Sequence, residues 1–204
     1  MVFRRRFVPK RRIFKRKRTF RRRFARRRGM GSNAKRFFKL RQVLSIAVTS
    51  GQAFTLAITD NPSLSQDWVP VSDLFQLYRT NGIKLTFIPS TTNNPLNTSI
   101  GYSPVYLIHD TNNTITTPIT ENDILQFENL RIQQVNRMWS RFWRMKRRIN
   151  PTAGTSLSTN GYSSVTQPQV TQNIRMFIPT LGTLSNPTVG RLIVTYYVTA
   201  VSRN

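Results

Sequence analysis

The sequence predicts an all-β fold, a β-sandwich or jelly roll carrying a basic N-terminal arm, on three observations. Apolar residues recur with a period of two from Phe37 onward. Loops rich in Asn, Thr, Ser, Pro and Gly separate these alternating runs. Charge is divided unevenly: residues 1–41 hold 20 Lys and Arg and no acid, whereas residues 42–204 hold 12 bases and all 7 acids. Of a net charge of +25 over 204 residues, most therefore sits at one end. Such charge acts at a distance on anionic partners and does not itself specify a fold.

The arm, residues 1–34, reads MVFRRRFVPKRRIFKRKRTFRRRFARRRGMGSNA. Blocks of like charge repel and bury little, so this segment is expected to be disordered when alone. Pro9 interrupts any early helix, and Phe20 and Phe24 swing away from the helical face that Phe3, Phe7 and Phe14 could share, which argues against an amphipathic membrane helix. Cations release phosphate counterions and interleaved rings stack on unpaired bases. The predicted phosphate contacts are Arg4, Arg5, Arg6, Lys10, Arg11, Arg12, Lys15, Arg16, Lys17, Arg18, Arg21, Arg22, Arg23, Arg26, Arg27 and Arg28, with Phe3, Phe7, Phe14, Phe20 and Phe24 as stacking rings. Single strands suit this set best because their bases are accessible. Lys15-Arg16-Lys17-Arg18 also reads as a nuclear import signal. Gly29-Met30-Gly31-Ser32-Asn33-Ala34 satisfies G-x-G-x-x-A, but arginines precede it where a dinucleotide site needs a buried strand, and the next acid is Asp60. It is rejected as a nucleotide motif.

The body, residues 35–204, follows strand by strand. Leu40, Leu44, Ile46 and Val48 oppose Arg41, Ser45, Ala47 and Thr49. After Ser50-Gly51, which leaves open a hairpin or a corner between sheets, Phe54, Leu56 and Ile58 share a face. Ile83, Leu85 and Phe87 oppose Lys84 and Thr86; PVYLIH is short and apolar; NIRMFIP follows; and Leu192, Val194, Tyr196 and Val198 share a face of the closing run. Alternation with β-branched and aromatic residues marks half-buried strands. Long loops are expected near residues 60–72, 89–104, 110–120 and 150–172, with short helices at VSDLFQLY and TENDILQF capped by Ser72 and Thr120.

The run LRIQQVNRMWSRFWRMKRRINP admits two readings. As a helix it would stripe Arg137, Arg141, Arg144 and Arg148 along one face; as two strands it sends Trp139, Trp143 and Met145 one way and Arg144, Lys146 and Arg148 the other. Strands are preferred in these β surroundings. Arg144, Lys146 and Arg148 then form a candidate second phosphate-contacting surface with Trp143 available to bases; an interface or a solvated edge strand accounts for the same residues.

Catalytic chemistry is missing. There is no Cys and one His, so neither a thiol nucleophile nor a Cys- or multi-His-ligated metal is expected. His109 reads as a capping or core residue, and the acids are dispersed over loops and helix starts. No catalytic residue, metal or cofactor is assigned. No stretch approaches the roughly 18 apolar residues of a spanning helix, and no apolar segment follows the basic start as in a signal peptide, so neither membrane insertion nor secretion is expected.

The arginine-rich arm on a β-sandwich resembles the capsid proteins of small circular single-stranded DNA viruses, the circovirus-like group. Tyr78-Arg79, Lys84, Phe87 and Pro89 look like that family's Tyr-Arg…Lys…Phe-x-Pro strand, and Gly190 to Val198, GRLIVTYYV, is similar to its final strand. The chain is short for the group and has no obvious family-like C-terminal tail. The resemblance implies an eight-stranded jelly roll in which about 60 copies close an icosahedral T=1 shell with arms inside. Sixty basic segments of +20 would carry on the order of 1,200 charges against one per nucleotide, near neutrality for roughly one to a few kilobases. The expected partners are single-stranded DNA, further copies of the chain, nuclear import receptors and a host-cell receptor; the expected locations are the virion and, during assembly, the host nucleus. A small RNA-virus coat protein shares the architecture, and a ribosomal or nucleoid protein with a basic extension is the alternative from another class.

Overall fold

The computed structural model describes residues 35–49, 51–90, 104–115, 120–146, 161–180 and 188–202. The chain divides into two units, Met1–Gly31 and Ser32–Asn204, and the described residues all belong to the second. Among them are nine strands: β1 (Lys35–Ala47), β2 (Phe54–Thr59), β3 (Leu77–Pro89), β4 (Pro104–Asp110), β5 (Arg131–Gln134), β6 (Trp139–Arg144), the two-residue β7 (Ser163–Ser164), β8 (Asn173–Ile178) and β9 (Thr188–Val201). Two short helices, α1 (Trp68–Leu74) and α2 (Glu121–Leu125), interrupt them.

Pairing is antiparallel and nested. With the short β7 set aside, the first strand pairs the last (β1 with β9), the second the second-last (β2 with β8), the third the third-last (β3 with β6) and the two middle strands each other (β4 with β5). This long double ribbon folds across itself: β9 also pairs β3, and β8 also pairs β4. The first sheet therefore runs β1-β9-β3-β6 with β7 on β3, and the second β2-β8-β4-β5. Two four-stranded sheets from one rolled ribbon are a jelly roll. β1 and β2 lie in different sheets, so the connection between them is a corner between sheets and not a hairpin.

The alternation read from the sequence sets the core. Leu40 and Ile46 of β1, Ile83, Leu85 and Phe87 of β3, and Leu192, Val194, Tyr196 and Val198 of β9 meet Ile58, Val105, Leu107, Ile174, Met176 and Ile178 of the second sheet. β4 is apolar on both faces because its other face is also covered: Tyr106 and Ile108, with Phe177, pack against Ile124 of α2. Among the described residues nothing comparable covers the first sheet over Val43 and Phe142, which are 54% and 52% exposed.

Gly190 explains the start of the closing strand. A Cβ there would lie 2.5 Å from the Ile88 carbonyl oxygen and 2.7 Å from the Phe87 ring, so the close β9–β3 approach requires glycine. Thr120 caps α2 as its sequence predicts, in a reciprocal box: the Asp123 N–H donates to Thr120 Oγ1 and the Thr120 N–H to the Asp123 carboxylate. Ser72 does not cap α1. The helix starts four residues earlier at Trp68, which is buried, and Ser72 Oγ donates back to the Val69 carbonyl from inside the helix. The end of the predicted helix, Leu77-Tyr78, already belongs to β3. Of the predicted loops, residues 91–103, 116–119 and 150–160 lie outside the described residues.

Candidate nucleic-acid interface

The predicted contacts of the arm (the basic residues from Arg4 to Arg28, the rings of Phe3, Phe7, Phe14, Phe20 and Phe24, and the import signal Lys15–Arg18) lie outside the described residues, as does Arg148. The structure does place Arg144, Lys146 and Trp143. The strand reading of this segment holds: β6 covers Trp139–Arg144. Arg144 and Lys146 are exposed, but Trp143 is 5% exposed and belongs to the core with Trp139 and Met145. Trp143 as a base-stacking ring is therefore corrected. It opposes Ile83 of β3, and that register turns its indole between the sheets.

The same register turns Phe142 outward, opposite Lys84. Its ring lies over Gly82, where a Cβ would be 2.5 Å from Phe142 Cζ, and it meets Tyr197 edge-on with centroids 5.6 Å apart. Lys39 Nζ stands 6.0 Å from the Tyr197 centroid. Cross-strand neighbours share a face at about 5 Å, so the outer rows of the first sheet can be written from its pairings. Lys39, Tyr197, Gly82 and Arg144 form one row, and Arg41, Thr195, Lys84 and Phe142 the next. Arg79 stands one row away, opposite Thr199. Aromatic residues thus lie among cations.

Counting bases to residue 41 as one block concealed part of this surface, since Lys35, Arg36, Lys39 and Arg41 all belong to β1. None of the seven carboxylates lies on a strand of the first sheet. Asp60, Asp67, Asp73, Asp110, Glu121, Asp123 and Glu128 occur after β2, around α1, at the end of β4, and on or after α2.

The end of this sheet is held by polar side chains. A bulge at Asn81 interrupts the β3–β9 register, and Asn81 accepts from Arg79 Nε (3.1 Å) and donates to Thr199 Oγ1 (2.7 Å). The Arg79 guanidinium lies 5.0 Å from the Tyr162 ring centroid. Beyond β6 the Gln172 amide accepts from the Lys146 N–H at 2.9 Å and donates to the Lys146 carbonyl at 2.7 Å. Arg79, Thr80, Asn81, Arg144, Met145 and Lys146 line an open concavity there.

An adjoining recess is lined in part by Asp60, which accepts from the Thr171 N–H at 2.8 Å and from the Thr171 hydroxyl. Burial raises the Asp60 carboxyl above its ordinary value despite those bonds. Burial, with the Asp60 charge second, likewise pushes up the hydroxyls of Tyr78 and Tyr196. These groups end the core and offer no nucleophile beside a base. Among the described residues no group of three or more His, Asp and Glu could hold a metal ion, and no helix is long and apolar enough to cross a membrane.

Residues of the resembling motifs divide by face. Tyr78 and Phe87 are in the core, while Arg79 and Lys84 stand on the basic outer face of β3.

The fold is the jelly roll seen in capsid proteins of small viruses. The BFDV capsid protein in its 60-mer form matches with a TM-score of 0.57 and 15% identity over 84% of this chain and 96% of that one. Its decameric form gives 0.56 and 13% over 82% and 99%. A semi-empty VLP of the giant freshwater prawn Macrobrachium rosenbergii nodavirus gives 0.59 and 10% over 84% and 95%. At these identities the likeness concerns the fold. No curated protein matches the sequence. The profile of the circovirus capsid protein family matches residues 3–200, and the chain belongs to that family. It is a viral capsid protein, a structural component of the virion.

Proposed function

We propose that this protein assembles with copies of itself into a closed shell, on the order of 60 subunits, and packages single-stranded DNA through residues 1–34. The observation that carries the reading is the join of 16 Lys and Arg without one acid in those residues to a jelly-roll body. The arm supplies sequence-independent neutralisation of phosphates, and its five phenylalanines stack on bases exposed only in single strands. The body supplies a rigid tile. BFDV capsid protein, a structural relative, forms a 60-mer and a decamer, which supports closed self-assembly here. Lys15-Arg16-Lys17-Arg18 serves nuclear import before the arms are covered by genome.

Deleting residues 2–34 tests the division of labour. The truncated chain is expected to keep the β circular-dichroism signature while losing most affinity for oligothymidine. Retention of full affinity with full salt dependence would refute the arm's role. Nuclease typing of copurifying polymer separates DNA from RNA, which the cations alone do not distinguish.

A further inference from the structure

We infer that the outer face of the first sheet is a second binding surface for single-stranded DNA, with Phe142 and Tyr197 as its base-stacking platform. It rests on the proposal that this protein handles single-stranded DNA.

Three observations converge on this face. Lys39, Arg41, Lys84 and Arg144 surround the two rings in adjacent cross-strand rows. No carboxylate lies on any strand of the sheet, although the body carries seven. Phe142, a large apolar ring, is left 52% exposed on the first sheet, whereas the opposite sheet is covered by α2. A surface that only needed solubility would mix charge signs and not retain exposed rings. One that only met another copy would deplete charge at its core. Cations around aromatic faces are the means by which single strands are held without sequence preference.

Gly82 makes the platform. With no side chain at 82, the Phe142 ring can occupy the space over Gly82 and meet Tyr197 edge-on. Lys39 Nζ stands 6.0 Å from the Tyr197 centroid, so a cation for a phosphate lies beside the rings.

Ultraviolet cross-linking of the full-length protein to oligothymidine, followed by peptide mapping, tests this directly. Adducts are expected on the peptides carrying Phe142 and Tyr197 as well as on the arm. Adducts on the arm alone would overturn the second surface and leave the proposed function standing; no adducts and no binding anywhere would overturn both. In solution, the K39Q/K84Q/R144Q variant is expected to lower the slope of log affinity against log salt by about 2, at roughly 0.7 per phosphate contact. Phe142→Ala and Gly82→Ala, which removes or displaces the ring, are expected to weaken binding about 5-fold or more at an unchanged slope. If the charge variant leaves the slope intact and instead abolishes particle formation in light scattering, the face joins two copies of the chain and the inference is wrong.

Discussion

The side chain of Gln172 replaces a strand for Lys146: its amide closes bonds of 2.9 and 2.7 Å onto the backbone N–H and carbonyl of a residue that lies past the end of β6. Gln172 is 1% exposed, so no water competes from its own side. Gln172→Leu leaves both backbone groups without that partner and is expected to cost about 1–3 kcal/mol. The check is equilibrium denaturation of the variant, with local amide exchange at Met145 and Lys146 rising more than at β9. Uniform exchange across the sheet would show that Gln172 does not act locally.

Gly190→Ala places a methyl 2.5 Å from the Ile88 carbonyl oxygen. That oxygen belongs to the β3 backbone, which cannot yield as a side-chain tip can. A loss of about 1–3 kcal/mol is expected from overpacking, read as a lowered Tm. An unchanged Tm would mean that β3 and β9 separate freely there.

Thr120 and Asp123 hold the start of α2, and α2 covers Tyr106, Ile108 and Phe177. Thr120→Ala removes one arm of the box and is expected to cost about 1 kcal/mol. Because α2 lies on the second sheet, binding of oligothymidine should not change. Reduced binding by this variant would argue against a division of roles between the two sheets.

His109 and Asp110 each lose a stabilising contribution as pH falls. Burial lowers the His109 imidazole below its ordinary value and the Lys146 charge lowers it further, against Gln172 and Asp110, which raise it. The fold favours the neutral ring, so this contribution is present above about pH 6.5 and is lost as pH falls through the lower folded value. Burial raises Asp110, but the backbone N–H groups of Ile115, Thr114 and Asn112 and the Asn173 amide outweigh it and hold the carboxyl below its ordinary value. Its contribution is present above about pH 4 and lost as pH falls through the folded one. Asp60, raised by burial, has the opposite sign and partly offsets this loss. Thermal melts from pH 8 to about 3 should show Tm falling in two steps. His109→Gln should remove the upper step and Asp110→Asn the lower; both steps persisting in either variant would contradict that assignment.

Much of the fold was legible because half-buried strands write their faces into alternate residues. Leu192, Val194, Tyr196 and Val198 are core in the structure as in the sequence, and Thr120 announced its helix through local chemistry. What alternation does not say is which face is inward where both carry large side chains. In WSRFWR either Trp143 or Phe142 could meet solvent, and only pairing of Trp143 with Ile83 decides it. Phe142, Gly82 and Tyr197 are remote in sequence, so the platform exists only once three strands are in register. Ser72 misled because a capping residue is also acceptable inside a helix, bonded back to Val69; burial of Trp68 set the start instead. The extent of the arm was blurred by Lys39 and Arg41, whose charges read as arm although their alternation reads as strand.

Electron microscopy of the purified full-length chain, with nuclease typing of the polymer extracted from the same fractions, bears most directly on the central claim. Uniform closed particles whose extracted polymer resists RNase and is degraded by a single-strand-specific DNase are the predicted result. Monodisperse monomers, or particles that yield only RNA or duplex DNA, would contradict the claim.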